Sequence, residues 1–102
     1  MTLRRQKFSL ADAEALALQG LGFLVGDPQR LVRFLSLTGL TPQDLKAWGE
    51  DKSLQAALLE YLLADESLLM VFAAETGHQP ADIAPAYELL AHAAGQAGRP
   101  QS

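Results

Sequence analysis

The chain contains no cysteine, and this excludes disulfide bonds, thiolate zinc sites and a cysteine nucleophile. No alternating run of apolar and polar residues is bounded by turn residues, so the pattern of a β-strand is also missing. The apolar stretch 54–74 is interrupted by Glu60, Asp65 and Glu66, which excludes a membrane span. Asp12 and Glu14 likewise break the segment that would form the apolar part of a signal peptide. These absences predict a soluble, all-helical protein.

Positive charge is scarce and lies almost entirely in the first half of the chain. Eight lysines and arginines stand against twelve aspartates and glutamates, which gives a net charge of −4. Seven of the eight cations lie in residues 1–52, and residues 53–98 contain none. This balance disfavours a polyanion such as nucleic acid as the partner.

An internal repeat is the main feature that the sequence does contain. Residues 21–50 align without a gap on residues 59–88, an offset of 38 positions. Ten of the thirty aligned positions are identical, whereas a composition rich in Leu and Ala would give about two or three by chance. The identical residues of the first copy are Leu21, Leu24, Asp27, Leu31, Phe34, Thr38, Gly39, Pro42, Asp44 and Glu50. A repeated sequence predicts a repeated structural unit.

Capping signals divide each half of the chain into three helices. The residues expected to begin the helices are, in order, Ser9, Asp27, Thr41, Ser53, Asp65 and Pro80. Gly39 and Gly77 are suited to end the second and fifth helices in the left-handed conformation. We therefore predict an all-α fold of six short helices, arranged as two pseudo-repeated three-helix units that share one core.

The predicted helical domain covers residues 9–94, with repeat one at about 16–50 and repeat two at about 54–88. Residues 1–8 are expected to form a flexible basic arm, and residues 95–102 a disordered tail. Apolar residues at helical spacing define the predicted core, which consists of Leu24, Leu31, Phe34, Leu45, Leu62, Leu69, Phe72 and Ile83.

Two motifs resemble a family of small uncharacterised alphaproteobacterial proteins, a domain of unknown function. They are D-P-x-R-L-x-R-F-L-x-x-T-G-L at residues 27–40 and L-L-x-D-E-x-L-L at residues 62–69. The resemblance covers roughly residues 10–90. It implies a bacterial, cytoplasmic, all-helical protein, and it supplies no site residues.

A helix–turn–helix protein that binds nucleic acid is the main alternative. Residues 34–48 combine an apolar helix, a glycine-centred turn and a second helix that carries Leu45 and Trp48. Readers of DNA need cations and hydrogen-bond donors on that second helix. Residues 42–50 contain one lysine against two acids, and the copy at residues 80–88 contains no cation. The charge pattern therefore disfavours this alternative.

A small enzyme or a metal-binding helical protein is a third hypothesis. Glu75 and His78 have the spacing of a carboxylate–histidine ligand pair, but Gly77 interrupts the helix that such a pair requires. Glu88 and His92 share a helix face, yet two residues do not make a metal site. No serine lies in a nucleophile-elbow motif. We therefore expect no catalytic residue, no metal site and no cofactor.

Three glycines, Gly20, Gly22 and Gly26, superficially match a dinucleotide-binding loop. That loop follows a strand and opens a helix, whereas these glycines lie inside a helical pattern. Their positions instead predict close helix packing or a local bend.

The two repeats differ in charge on one matched helix. Arg30 and Arg33 of the second helix are replaced by Leu68 and Val71 on the fifth helix. The fifth helix is apolar on all sides, and such a helix is buried, either inside the fold or under a partner. We expect it to be a central helix wrapped by the other five.

Partial exposure of the fifth helix would instead create an apolar strip ringed by Glu60, Glu66 and Glu75. Such strips are typical of homodimers and of helix-in-groove contacts, and an acidic rim favours a basic partner. We therefore predict a small non-enzymatic adaptor or regulatory module, which binds a protein partner or a second copy of itself. No membrane and no small-molecule substrate is indicated. The candidate partner-binding residues are Leu68, Met70, Val71, Glu66, Glu75, Arg30 and Arg33.

Overall fold

A computed structural model describes residues 8–98 of the chain. Its helices are α1 (Leu10–Val25), α2 (Pro28–Thr38), α3 (Pro42–Leu45), α4 (Lys52–Leu63), α5 (Glu66–Thr76) and α6 (Ile83–Gly98). Single 3₁₀ turns at Trp48–Glu50 and Pro80–Asp82 precede α4 and α6. The described part of the chain contains six helices and no strand, so the predicted all-α fold is confirmed. Residues 1–7 of the predicted arm and 99–102 of the predicted tail lie outside the described residues.

The core is built mainly by α1, α4 and α6, which pack against one another. α4 is the central helix, because six of its twelve residues are buried. The prediction of a central fifth helix is wrong: α5 buries only Phe72 and Ala73. Five of the eight predicted core residues are fully buried, and the other three, Leu31, Leu45 and Leu69, are half-buried.

Local hydrogen bonds explain where α1, α2 and α5 begin. The Ser9 hydroxyl accepts from the Asp12 N–H, and the Asp12 carboxylate accepts from the Ser9 N–H at 2.9 Å. Asp27 accepts from the Gln29 N–H at 3.0 Å, and Asp65 accepts from the Leu68 N–H at 3.1 Å. Each bond satisfies an amide of the first turn that has no partner inside its helix. These predicted N-caps are therefore confirmed.

The predicted start of α4 is wrong by two residues. Asp51, not Ser53, is the N-cap, because its carboxylate accepts from the Leu54 N–H at 3.1 Å. Ser53 lies inside the first turn, and its hydroxyl donates to the same carboxylate at 2.6 Å. The cap could not be chosen by residue type alone, since both residues are good N-caps.

The third helix of each unit also differs from the prediction. α3 stops at Leu45, and Trp48 lies in a separate 3₁₀ turn. The backbone carbonyl of Trp48 accepts a hydrogen bond from the Gln55 Nε2 at 2.7 Å. α6 begins at Ile83 rather than at Pro80, which opens the preceding 3₁₀ turn, and it continues to Gly98 rather than Ala94. Pro85 lies in the first turn of α6, where a missing N–H removes no helical hydrogen bond.

The two repeats share fine local geometry as well as sequence. Gly39 and Gly77 end α2 and α5 with φ angles of 79° and 80°, in the left-handed region that glycine adopts without a steric penalty. Immediately before these glycines, the hydroxyls of Thr38 and Thr76 each donate to the carbonyl four residues before them at 2.7 Å. The C-terminal ends of the matched helices are therefore fixed by the same interactions.

Two edge-on aromatic contacts run between the repeats. Phe23 of repeat one meets Phe72 of repeat two edge-on, with ring centroids 5.3 Å apart. Phe34 of repeat one meets Tyr61 of repeat two in the same manner at 5.0 Å. Because Phe23 aligns with Tyr61 and Phe34 with Phe72, each contact is the other with the repeats exchanged. This crossed pairing is the pattern that a two-fold relation between the units would give.

The closest approach of α1 and α4 also joins two aligned positions. Gly20 aligns with Leu58, and a Cβ atom added to Gly20 would lie 2.6 Å from the Leu58 Cδ2. The predicted role of Gly20 in close helix packing therefore agrees with the structure.

Candidate functional site

α2 and α5 expose side chains at the same aligned positions. We name Val32, Arg33, Ser36 and Leu37 the α2 face, and their equivalents Met70, Val71, Ala74 and Glu75 the α5 face. Val32 and Leu37 are 62% and 64% exposed, and Met70 and Val71 are 50% and 39% exposed. Large apolar side chains in water on both helices mark the faces as candidates for binding.

The faces point outward because the opposite side of each helix is anchored in the core. Phe34 and Phe72 are fully buried, and the preceding apolar residues, Leu31 and Leu69, are half-buried against the core. Side chains three or four positions apart share one side of a helix, so these anchors fix the orientation of each face. The exposed apolar residues are therefore not available to the core of the same chain.

The predicted partner-binding residues divide into two groups. The structure places Met70, Val71 and Glu75 on the α5 face and Arg33 on the α2 face, and Glu66 is exposed at the start of α5. Two others are structural. Leu68 packs against the core. Arg30 lies with its guanidinium 4.2 Å from the centroid of the Phe23 ring and its Nε 3.6 Å from the Asp27 carboxylate.

A groove of about 460 Å³ separates the end of α2 from the start of α5. Arg33 and Leu37 line one wall, and Tyr61 and residues 65–67 line the other. Arg33, Leu37 and Glu66 are exposed, so the groove joins the α2 face to the side of α5. Sequence reasoning missed Leu37 and Tyr61 because they align with Glu75 and Phe23, which gave no signal of a shared surface. Val32 was missed although its alignment with Met70 was visible.

Among residues 8–98, no group of three or more His, Asp or Glu side chains lies close enough to hold a metal. Glu75 and His78 do not act as a pair: the His78 Nε2 hydrogen-bonds with the Gln19 Oε1, and its ring stacks on Phe72 at 6.3 Å.

Two carboxylates at helix starts have lowered pKa values. The hydrogen bond from the Ser53 hydroxyl is the largest cause that lowers the pKa of Asp51, and the hydrogen bond from the Leu54 N–H is the second largest. The hydrogen bond with the Ser9 backbone N–H is the largest cause that lowers the pKa of Asp12, and the hydrogen bond with the Ser9 hydroxyl is the second largest. Each hydrogen bond stabilises the ionised carboxylate, so these two shifts are a consequence of capping.

In repeat one, the expected second helix of a helix–turn–helix reader is not present at its full length. The prediction placed it at residues 42–50, whereas α3 contains only four residues. One helical turn cannot present several side chains to successive base pairs in a major groove. In repeat two, the equivalent helix α6 is long, but residues 80–88 contain no cation.

Residues 10–93 match a family described as a protein of unknown function, DUF3572. The chain belongs to the DUF3572 family. The match begins at the first residue of α1 and includes both faces and the groove, and the predicted resemblance to a domain of unknown function is thereby confirmed. No curated protein and no solved structure matches the chain. Within the described part of this DUF3572 protein, no helix is both long enough and apolar enough to span a membrane.

Proposed function

We propose that this DUF3572 protein is a small non-enzymatic interaction module, an adaptor or regulator, that binds a helix of a protein partner through the α5 face. The observation that carries this proposal is the exposure of Met70 and Val71 on a helix that contains no cation. The sequence resemblance described above supports the bacterial cytoplasm as the setting for this role.

The α5 face supplies both an apolar contact and a charge preference. Burying the exposed parts of Met70 and Val71 would contribute about 1–3 kcal/mol. Methionine adapts to differently shaped partners, which suits a docking surface. Glu66 and Glu75 are exposed toward the two ends of the helix. A matching partner is therefore an amphipathic helix that carries apolar side chains and at least one cation.

Nucleic acid is a poorer match for this surface. The net charge of the chain is −4, and residues 53–98 contain no lysine or arginine. Phosphate groups would be repelled by the acids of α5, and affinity for nucleic acid depends mainly on contacts between cations and phosphates. Retention on heparin at low salt would favour the helix–turn–helix alternative.

Two synthetic amphipathic helices with the same leucine pattern test the proposal, one with arginines and one with glutamates beside the leucines. Fluorescence anisotropy should show binding of the arginine peptide, which weakens as salt is raised. Val71→Arg should raise the dissociation constant at least about tenfold. Leu18→Arg is the matched control, because Leu18 is 58% exposed and lies outside both faces and the groove.

The folded stability of Val71→Arg is the second readout. Val71 is 39% exposed, so the variant should unfold with a free energy within about 0.5 kcal/mol of wild type. A loss of several kcal/mol would place Val71 in the core, as expected for an unpaired buried charge. Equal binding of both peptides, or binding that Val71→Arg leaves unchanged, would contradict the proposed function.

A further inference from the structure

We infer that the helix bound by the α5 face is α2 of a second copy of the chain, and that two copies form a symmetric dimer. This inference rests on the proposed function and names its partner. α2 has the chemistry that the α5 face requires: Val32 and Leu37 are apolar and exposed, and Arg33 lies between them on the same face.

The charged side chains of the two faces have no partner among the residues that the structure describes. Neither Arg33 nor Glu75 makes an ion pair or a side-chain hydrogen bond within residues 8–98. Arg30 differs from Arg33 in this respect, because Asp27 and the Phe23 ring already hold it. Arg33 and Glu75 are therefore free to pair with opposite charges on another molecule.

The spacing of the side chains favours an antiparallel contact between the faces. Arg33 and Leu37 are four positions apart, and so are Val71 and Glu75, a distance of about 6 Å along one side of a helix. An antiparallel register that sets Leu37 against Val71 also sets Arg33 against Glu75. A parallel register would instead place the apolar Leu37 against the Glu75 carboxylate.

Pairing of each face with its own kind is less favourable. Two α5 faces would bring together acids in a region without cations, and two α2 faces would bring together arginines. Like charges that face each other across an interface cost several kcal/mol. The two faces differ at two aligned positions, where Arg33 stands for Val71 and Leu37 stands for Glu75. These differences make the α2 face complementary to the α5 face, and they make each face a poor match for the same face of a second copy.

One dimer can use both faces of each copy. The groove lined by Arg33, Leu37 and Glu66 joins the end of α2 to the start of α5, so the α2 face borders the first turn of the helix that carries the α5 face. In an isologous dimer, residues of the α2 face meet the α5 face of the partner, and the reverse contact follows from symmetry. Each contact is the face of an eleven-residue helix, so we expect micromolar rather than nanomolar association.

Charge reversal in two separate variants tests this arrangement. Sedimentation equilibrium over a concentration series should show a dimer for wild type. Arg33→Glu and Glu75→Arg should each raise the dimer dissociation constant at least about tenfold, because two like-charged pairs would form in each homodimer. Lys46→Glu and Glu88→Arg make the same charge changes at exposed positions outside the faces and should leave the constant unchanged.

Mixing the two variants gives the decisive measurement. A heterodimer of Arg33→Glu with Glu75→Arg contains one wild-type Arg–Glu pair and one reversed pair, so it should form with nearly wild-type affinity. Native mass spectrometry separates this heterodimer from the homodimers by mass.

Three outcomes would overturn the inference. They are a monomeric wild type at all concentrations, a dimer that Arg33→Glu does not weaken, and a mixture that fails to recover association. A monomeric wild type that still binds the arginine peptide through Val71 would remove the second copy as partner and leave the proposed function standing. A dimer that is insensitive to both Arg33→Glu and Val71→Arg would contradict both.

Discussion

α2 and α5 are matched helices of the two repeats, and their outward surfaces differ in chemistry. Their N-cap aspartates, their terminal glycines and their buried phenylalanines coincide, and the four positions of the α2 face and the α5 face are exposed in both. They differ in charge on the outward side, where Arg33 stands for Val71 and Leu37 for Glu75. The comparison teaches that interactions which set helix length and packing are kept in both copies, while the surface has diverged into two complementary faces.

The third helices of the units have diverged further. After the matched pair Leu45 and Ile83, the first unit stops at a short α3, whereas the second continues as the sixteen-residue α6. Ile83 is fully buried and Leu45 is half-buried. α6 packs on both α1 and α4, so it closes a core that the two units share. The similarity of the two units therefore ends at α6, because this helix of the second unit covers the core of both units.

The largest expected effect concerns the two buried phenylalanines. Phe34→Ala and Phe72→Ala should each lower the free energy of unfolding by about 3–5 kcal/mol, because both remove a fully buried ring. Urea denaturation measures the loss, and Phe→Leu versions serve if the alanine variants do not fold. Very unequal losses would show that the matched positions are not equivalent in energy.

Double-mutant cycles sharpen the same prediction. Phe34 with Tyr61, and Phe23 with Phe72, should couple by about 0.5–1.5 kcal/mol, as edge-to-face aromatic pairs do. Phe34 and Phe23 belong to the same repeat, and this pair should show little coupling energy. Coupling within a repeat rather than across the repeats would contradict the crossed pairing.

A smaller effect separates two glycines of α1. Gly20→Ala should destabilise by about 1–2 kcal/mol, because its Cβ would meet the fully buried Leu58 side chain. Gly22→Ala should stabilise by up to about 1 kcal/mol, since no atom lies within 4 Å of the new Cβ and alanine favours a helix. Thermal or urea unfolding gives both signs. A stabilising Gly20→Ala would mean that α1 and α4 can move apart freely.

The smallest effect is a pH dependence at the start of α4. Hydrogen bonds lower the folded-state pKa of Asp51, so the unfolded chain binds more protons at this site. The carboxylate therefore stabilises the fold above its unfolded pKa, near 3.9, and this contribution is lost as pH falls through the lowered folded value. Asp51→Asn removes the negative charge from the helix start and should cost about 0.3–1 kcal/mol at neutral pH, and the cost should shrink in acid. A constant difference across pH would contradict the assignment of Asp51 as a charged cap.

The sequence predicted the features that depend on neighbours along the chain. The Ser9 and Asp65 caps and the turn at Gly39 follow from side chains that reach amides two or three residues away. The exposure of Met70 could not be predicted, because α5 is apolar on every side and only its packing decides which side meets the core. Leu37 and Tyr61 meet at the groove through the crossed arrangement of the units, which one-dimensional spacing does not contain.

The contact between Gly20 and Leu58 has a consequence for how such a protein can change over time. Two separate half-length chains paired about a two-fold axis would carry one residue type at both of these places, either two small residues with a void or two large ones with a clash. Within a single continuous chain the two codons vary independently, so a small residue can face a large one. Covalent fusion of the units therefore permits a packing solution at this position that an exact homodimer of halves could not reach.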